Sequence, residues 1–265
     1  MRSLRFKRRA AALCALAAFA LCAAAPARAQ DEERQPAAPA AATGAAATRA
    51  NPDALYRQAA EQFRGGRYAE SAELFRQVAR SRPDVAEVQF YLGTALYRQR
   101  KYEEAAAAYR EAVRLKPDYT AAHVFLGNAL DNGGRYEEAV EVYRQAARVA
   151  PAAPEPHFEA GVAHFNRRRY EEAAASFRQA LRLRPAWAAG HFHLGHAQRR
   201  LGRWDEAAAS YAEAARLRPD HADALYHLGL AHAARGDAAG AALAEQQLRP
   251  LSAELADKLL ALMRR

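Results

Sequence analysis

Five prolines, Pro83, Pro117, Pro151, Pro185 and Pro219, follow one another at a constant interval of 34 residues. A fixed period of this length marks an internal repeat, and it restricts a chain to stacked units, each burying its apolar face against the next. Placing these prolines at position 32 divides the sequence, without insertion, into six units that begin at Pro52, Ala86, Thr120, Pro154, Ala188 and Ala222.

In that register the eighth position reads Ala59, Gly93, Gly127, Gly161, Gly195, Gly229, and the twentieth reads Ser71, Ala105, Ala139, Ala173, Ala207, Ala241. A glycine inside a helix costs about 1 kcal/mol against alanine, so its recurrence at one phase predicts a close approach of two helices there. Bulk recurs at position 17, as Tyr68, Tyr102, Tyr136, Tyr170 and Trp204, and acidic pairs follow four of these rings (Glu103-Glu104, Glu137-Glu138, Glu171-Glu172, Asp205-Glu206). Carboxylates in a first turn suit the positive end of a helix dipole. Each unit therefore reads as two helices, the second closed by its proline.

The aromatic at 17, alanine at 20, aromatic at 24 (Phe75, Tyr109, Tyr143, Phe177, Tyr211), alanine at 27 and proline at 32 resemble the signature of the tetratricopeptide repeat (TPR) family. The resemblance covers residues 52 to about 249. It implies an all-α fold, a right-handed α-solenoid of six helix-turn-helix repeats at 52–85, 86–119, 120–153, 154–187, 188–221 and 222–250. The end repeats depart from the pattern, with Ala59 and Ser71 in the first and Ala238, Glu245 and an early Pro250 in the sixth. Residues 251–265 carry an apolar stripe of Leu251, Leu255, Leu259, Leu262 and Met263, which predicts a capping helix over the exposed end of the stack.

Ahead of the repeats, residues 1–29 have the parts of a secretory signal: a basic start (Arg2, Arg5, Lys7, Arg8, Arg9), an apolar run from Ala10 to Ala25, and the cleavage signal Ala27-Arg28-Ala29. Residues 30–51, rich in Ala and Pro, read as a disordered tether. Six of the 39 basic residues and none of the 30 acidic ones fall in the leader, leaving 33 against 30, a balance of +3. That excess does not point to nucleic acid. Both cysteines, Cys14 and Cys22, also lie in the leader, so the mature chain forms no disulfide. The expected location is exported and periplasmic, with no membrane span after signal removal.

The resemblance implies that positions 2, 5, 9, 12 and 13 of the first helices face a concave groove. These supply Tyr56, Phe90, Phe158, Phe192 and Tyr226 at position 5, Tyr97 and Phe165 at position 12, and the polar residues Arg98, Asn128, Asn166, His196, Arg199 and Arg200. Aromatics with arginine and asparagine nearby suit a protein interface. Aromatics at helical spacing serve equally as core, and that alternative stands. The lysine at position 5 that a dicarboxylate clamp would need is absent.

All nine histidines lie between His123 and His232, which raises a periplasmic metal-binding protein as the rival reading, centred on His193, His196 and His227. His123, His157 and His191 share position 4, where a packing role accounts for all three together. Nucleotide, metalloprotease, serine-hydrolase and haem motifs are absent. The sequence thus predicts a non-catalytic protein-interaction scaffold without cofactor or metal, binding a peptide or helix of a protein partner.

Overall fold

The computed structural model describes residues 51–264. The expected leader and, except for Asn51, the tether lie outside the described residues. Thirteen helices and no strands are present among the described residues. The first helices of the six repeats are α1 (Pro52–Arg64), α3 (Ala86–Arg98), α5 (Thr120–Asn132), α7 (Glu155–Asn166), α9 (Ala188–Arg200) and α11 (Ala222–Ala234). The second helices are α2 (Tyr68–Ser81), α4 (Tyr102–Leu115), α6 (Tyr136–Val149), α8 (Tyr170–Leu183), α10 (Trp204–Leu217) and α12 (Ala238–Leu248), and α13 (Ala253–Met263) follows.

The boundaries follow local chemistry. Asn51 starts α1 by accepting the backbone N–H of Asp53 at 3.0 Å, satisfying one of the donors a helix leaves free at its start. Arg82, Lys116, Ala150, Arg184 and Arg218, each just before a proline of the ladder, are extended, with φ between −142° and −132°. The residue before proline disfavours the helical region, so each second helix stops there. Within every repeat the two helices are joined by three residues, and position 15 takes positive φ: Gly66, Gly134, Gly202 and Gly236, but Arg100 (63°) and Arg168 (60°).

Each second helix packs on its own first helix and, in repeats one to five, on the first helix of the next repeat, while α12 packs on α13. Neighbouring first helices also touch, α3 with α5, α5 with α7 and α7 with α9. The result is a two-layer α-solenoid in which the first helices form the inner layer. The glycines at position 8 allow the layers to meet. A Cβ added at Gly93, Gly161 or Gly195 would lie 2.8, 2.6 or 2.8 Å from the ring of Tyr109, Phe177 or Tyr211, and one at Gly127 would strike Tyr143. These position-24 rings are fully or almost fully buried. Repeat six has Glu245 at position 24, and there Leu259 of α13 covers Gly229 instead. Leu248, Ala256 and Leu259 close the core at that end.

Carboxylates after position 17 also link repeats: Arg76 to Glu104 at 2.8 Å, Arg178 to Glu206 at 3.0 Å and Arg135 to Glu103 at 3.1 Å. These pairs are a third or more exposed, so each contributes little to stability.

Candidate functional site: the inner face of the solenoid

Two adjoining clefts open on the inner layer. The larger, about 460 Å³, lies between α7 and α9 and is lined by Val162, Phe165, Asn166, Phe192, His193, His196, Arg199 and Arg200. The smaller, about 250 Å³, is lined by Tyr97, Asn128, Asp131, Asn132, Tyr143, Glu159, Val162, Ala163 and Asn166. Val162 and Asn166 belong to both, so the clefts form one continuous stretch of groove across repeats two to five.

Hydrogen bonds from behind fix this surface. Where position 24 is tyrosine, its hydroxyl meets a polar residue at position 9: Tyr109 with Thr94 at 3.2 Å, Tyr143 with Asn128 at 2.5 Å, Tyr211 with His196 Nδ1 at 3.0 Å. Where position 24 is phenylalanine, in Phe75 and Phe177, position 9 is Ala60 or Val162, neither of which has a polar side-chain group to satisfy. Two of the side chains that line the clefts, Asn128 and His196, are thus held by hydrogen bonds from the second helices.

The larger cleft gathers Phe165, Asn166, Phe192, His196, Arg199 and Arg200 of the expected residues, and the smaller gathers Tyr97 and Asn128. The other five belong elsewhere. Phe90 is only 2% exposed, with its ring 5.7 Å from Tyr109, 5.1 Å from Tyr119 and 5.3 Å from Phe125. Phe158 likewise meets Phe177, Trp187 and His193, and Tyr56 meets Phe75 and Tyr91. In repeats one, two, four and five the position-5 ring packs between the position-24 ring of its own repeat and position 6 of the next, and of these Phe90 is buried and so closed to a partner. Tyr226 packs against the terminal core cluster. Arg98 donates to the Tyr68 hydroxyl at 2.8 Å with its guanidinium over that ring. Phe192 serves both roles, meeting Tyr211 and His227 while it borders the larger cleft.

Asp131, Asn132, Tyr143, Glu159, Val162 and His193 line the clefts without having been singled out as groove residues. Asp131 and Asn132 stand at positions 12 and 13, so their register carried the signal. Glu159 and His193 stand at position 6, which the groove register does not include. They reach the inner face at the joint between repeats, which no single-repeat pattern displays.

The electrostatics differ between the clefts. Burial, reinforced by Glu155 and Asp131, raises Glu159 to about 7, leaving its carboxyl group divided between acid and anion near neutrality. Asp131 pairs with Arg167 at 3.4 Å. Around the larger cleft, burial lowers His196 to about 3 and His227 to about 4, and it pushes His193 in the same direction. His196 Nδ1 and the Tyr211 hydroxyl share a hydrogen bond, and Arg199 also reaches that hydroxyl.

The histidines do not converge on an ion site. No group of three or more His, Cys, Asp or Glu side chains is placed to hold a metal among the described residues. His123 and His191, at position 4, meet the carbonyls of Pro117 and Pro185 at 2.9 and 2.8 Å, locking the ladder proline of one repeat to the first helix of the next. The metal-binding alternative has no support in this geometry.

Paired helices stacked in register, with a continuous groove along the inner layer, define a helical-repeat solenoid of the kind that binds other proteins. The tetratricopeptide repeat family matches residues 56–120, 126–187 and 192–256, and the chain belongs to that family. No curated protein sequence matches it. Solved structures share the fold. PilW, a type IV pilus biogenesis factor, is 19% identical with a TM-score of 0.65, covering 79% of this chain and 98% of its own. PilF of Pseudomonas aeruginosa is 18% identical with a TM-score of 0.63, covering 79% and 96%. YrrB, a TPR protein with an unusual peptide-binding site, is 22% identical with a TM-score of 0.56, covering 71% and 97%.

Proposed function

We propose that this protein is a non-catalytic scaffold of the bacterial cell envelope, exported by its leader, that binds an extended peptide or a helix of a protein partner along the inner groove. The observation that carries this reading is the pair of adjoining clefts on the first-helix layer, two of whose lining side chains, Asn128 and His196, are held from behind by the second helices. A surface ordered before binding loses little conformational freedom on association, so many modest contacts add to useful affinity. The description of YrrB as having a peptide-binding site and of PilW as a pilus biogenesis factor supports peptide recognition and an envelope setting. No helix among the described residues is long and apolar enough to cross a membrane.

The test is affinity capture from an envelope extract with three baits: the parent chain, a groove variant (Tyr97→Ala, Phe165→Ala, Asn166→Ala) and an outer-face variant (Arg110→Ala, Arg144→Ala). A partner kept by the outer-face variant and lost by the groove variant supports the reading; the reverse pattern overturns it. Export is checked separately by fractionation and N-terminal sequencing, with Gln30 expected as the first residue of the periplasmic form.

A further inference from the structure

Five arginines among the described residues are partly shielded from solvent: Arg76, Arg82, Arg135, Arg184 and Arg199. Four of them meet a carboxylate, Arg76 at Glu104, Arg82 at Asp53, Arg135 at Glu138 and Arg184 at Glu155, at distances of 2.6 to 2.8 Å. Arg199 is the exception. No carboxylate of the described residues pairs with it, and its Nε is buried without a hydrogen-bond partner.

Arg199 is partly shielded, with its Nε buried and the Tyr211 hydroxyl as a neutral partner, and shielding a cation without a counter-charge carries a cost that the other four offset with a carboxylate. Arg199 is not at a random place. It lines the larger cleft together with Phe165, Phe192, Asn166 and Arg200, and no acidic side chain lines that cleft. The Tyr211 hydroxyl that Arg199 reaches is pushed up to about 12 and stays neutral at pH 7, and the carboxylate that acts on neighbouring His227, Asp223, does not line the cleft. Arg200 is already engaged, donating to the Tyr170 hydroxyl at 2.6 Å.

We propose that the cleft between α7 and α9 is a recognition site for the carboxylate of an Asp or Glu side chain flanked by an apolar residue, with Arg199 supplying the counter-charge and Phe165 and Phe192 the apolar wall. This rests on the groove reading above. The choice of a side chain over a chain end follows from the groove itself, which continues through Val162 and Asn166 into the second cleft, so a bound segment runs on past the site. An arginine fork gives a carboxylate two parallel hydrogen bonds, and the shielding that makes an unpaired guanidinium costly strengthens the pair once formed.

The experiment uses the full chain with arginine side chains labelled with ¹⁵N, the Arg199 Nε–H signal being assigned by its loss in Arg199→Gln. The probes are acetyl-Ala-Ala-Phe-Glu-Ala-Ala-amide, its Gln counterpart, and a peptide in which Phe alone carries a free C-terminal carboxylate. The Glu peptide is expected to bind about tenfold more tightly than the Gln peptide and to shift the Arg199 signal. In Arg199→Gln the two peptides become equal while the helical circular dichroism is unchanged. Equal binding of Glu and Gln peptides to the parent chain overturns the carboxylate site and leaves the groove reading intact. Preference for the free C-terminus overturns the side-chain assignment. Absence of binding by all three peptides at millimolar concentration counts against both this site and the groove.

Discussion

The hydroxyl of Tyr143 donates a 2.5 Å hydrogen bond to Oδ1 of Asn128, tying a buried ring of the second-helix layer to a residue that lines the inner cleft. Repeat four solves the same junction without polarity, using Phe177 and Val162. Tyr143→Phe alone is therefore expected to cost about 1 kcal/mol, and Asn128→Val alone at least as much, because each strands a partly buried polar group. The double variant Tyr143→Phe, Asn128→Val reproduces the repeat-four pair and should recover most of the loss. A double-mutant cycle from urea unfolding measures this, and additive losses would show that the pair is not coupled.

Position 15 adopts the left-handed conformation in all six repeats, with arginine at two of them. Arg100→Gly and Arg168→Gly are each expected to stabilise the stack by about 0.5–1 kcal/mol, since a side chain at φ near +60° is strained and glycine is not. Gly202→Ala should act in the opposite sense. Thermal unfolding followed by circular dichroism checks both directions, and no rise in Tm for the arginine variants would contradict the argument.

Leu259 of α13 fills the place above Gly229 that an aromatic ring takes in repeats two to five, and it is fully buried. Leu259→Ala is expected to cost about 2–5 kcal/mol and to loosen repeat six first, because a stack transmits stability through nearest neighbours. Leu262→Ala, at a position 45% exposed on the same helix, should change little. Hydrogen exchange resolved by repeat distinguishes local opening at α11–α13 from uniform loss.

Two sets of groups set the pH dependence in opposite senses. His196 and His227 titrate at about 3 and about 4 in the fold against 6.5 unfolded, so below pH 6.5 the unfolded chain binds the extra protons and stability falls toward pH 4 by on the order of a few kcal/mol. Glu159 titrates at about 7 in the fold against 4.5 unfolded, so the unfolded chain releases its proton first and stability falls as pH rises from 4.5 through 7. His196→Gln with His227→Leu should flatten the acid limb of a Tm-against-pH curve, and Glu159→Gln the neutral one. Curves superposing on that of the parent chain would show that these groups do not control it.

Much of this architecture was legible one repeat at a time. The proline ladder marked the helix ends because the residue before proline leaves the helical region wherever the chain places it. The glycines at position 8 announced a close approach, and the rings of Tyr109, Tyr143, Phe177 and Tyr211 are what approaches. The groove was legible only in part. Positions 9 and 12 named Asn128, His196, Tyr97, Phe165 and Arg199, which line the clefts, whereas of the position-5 aromatics only Phe192 does so, Tyr56, Phe90 and Phe158 packing at the joints between repeats.

Periodicity alone determined the number of repeats, their boundaries and the small-against-large pairing of positions 8 and 24, because those are local consequences of helix geometry and backbone sterics. The tertiary structure decided which first-helix side chains remain open and which carry charge without a counter-charge. Glu159 and His193 reach the inner face, and Arg199 is left without a carboxylate partner, through contacts between residues about one repeat apart. Those depend on how each unit seats on the next, and a pattern read within 34 residues holds no term for that.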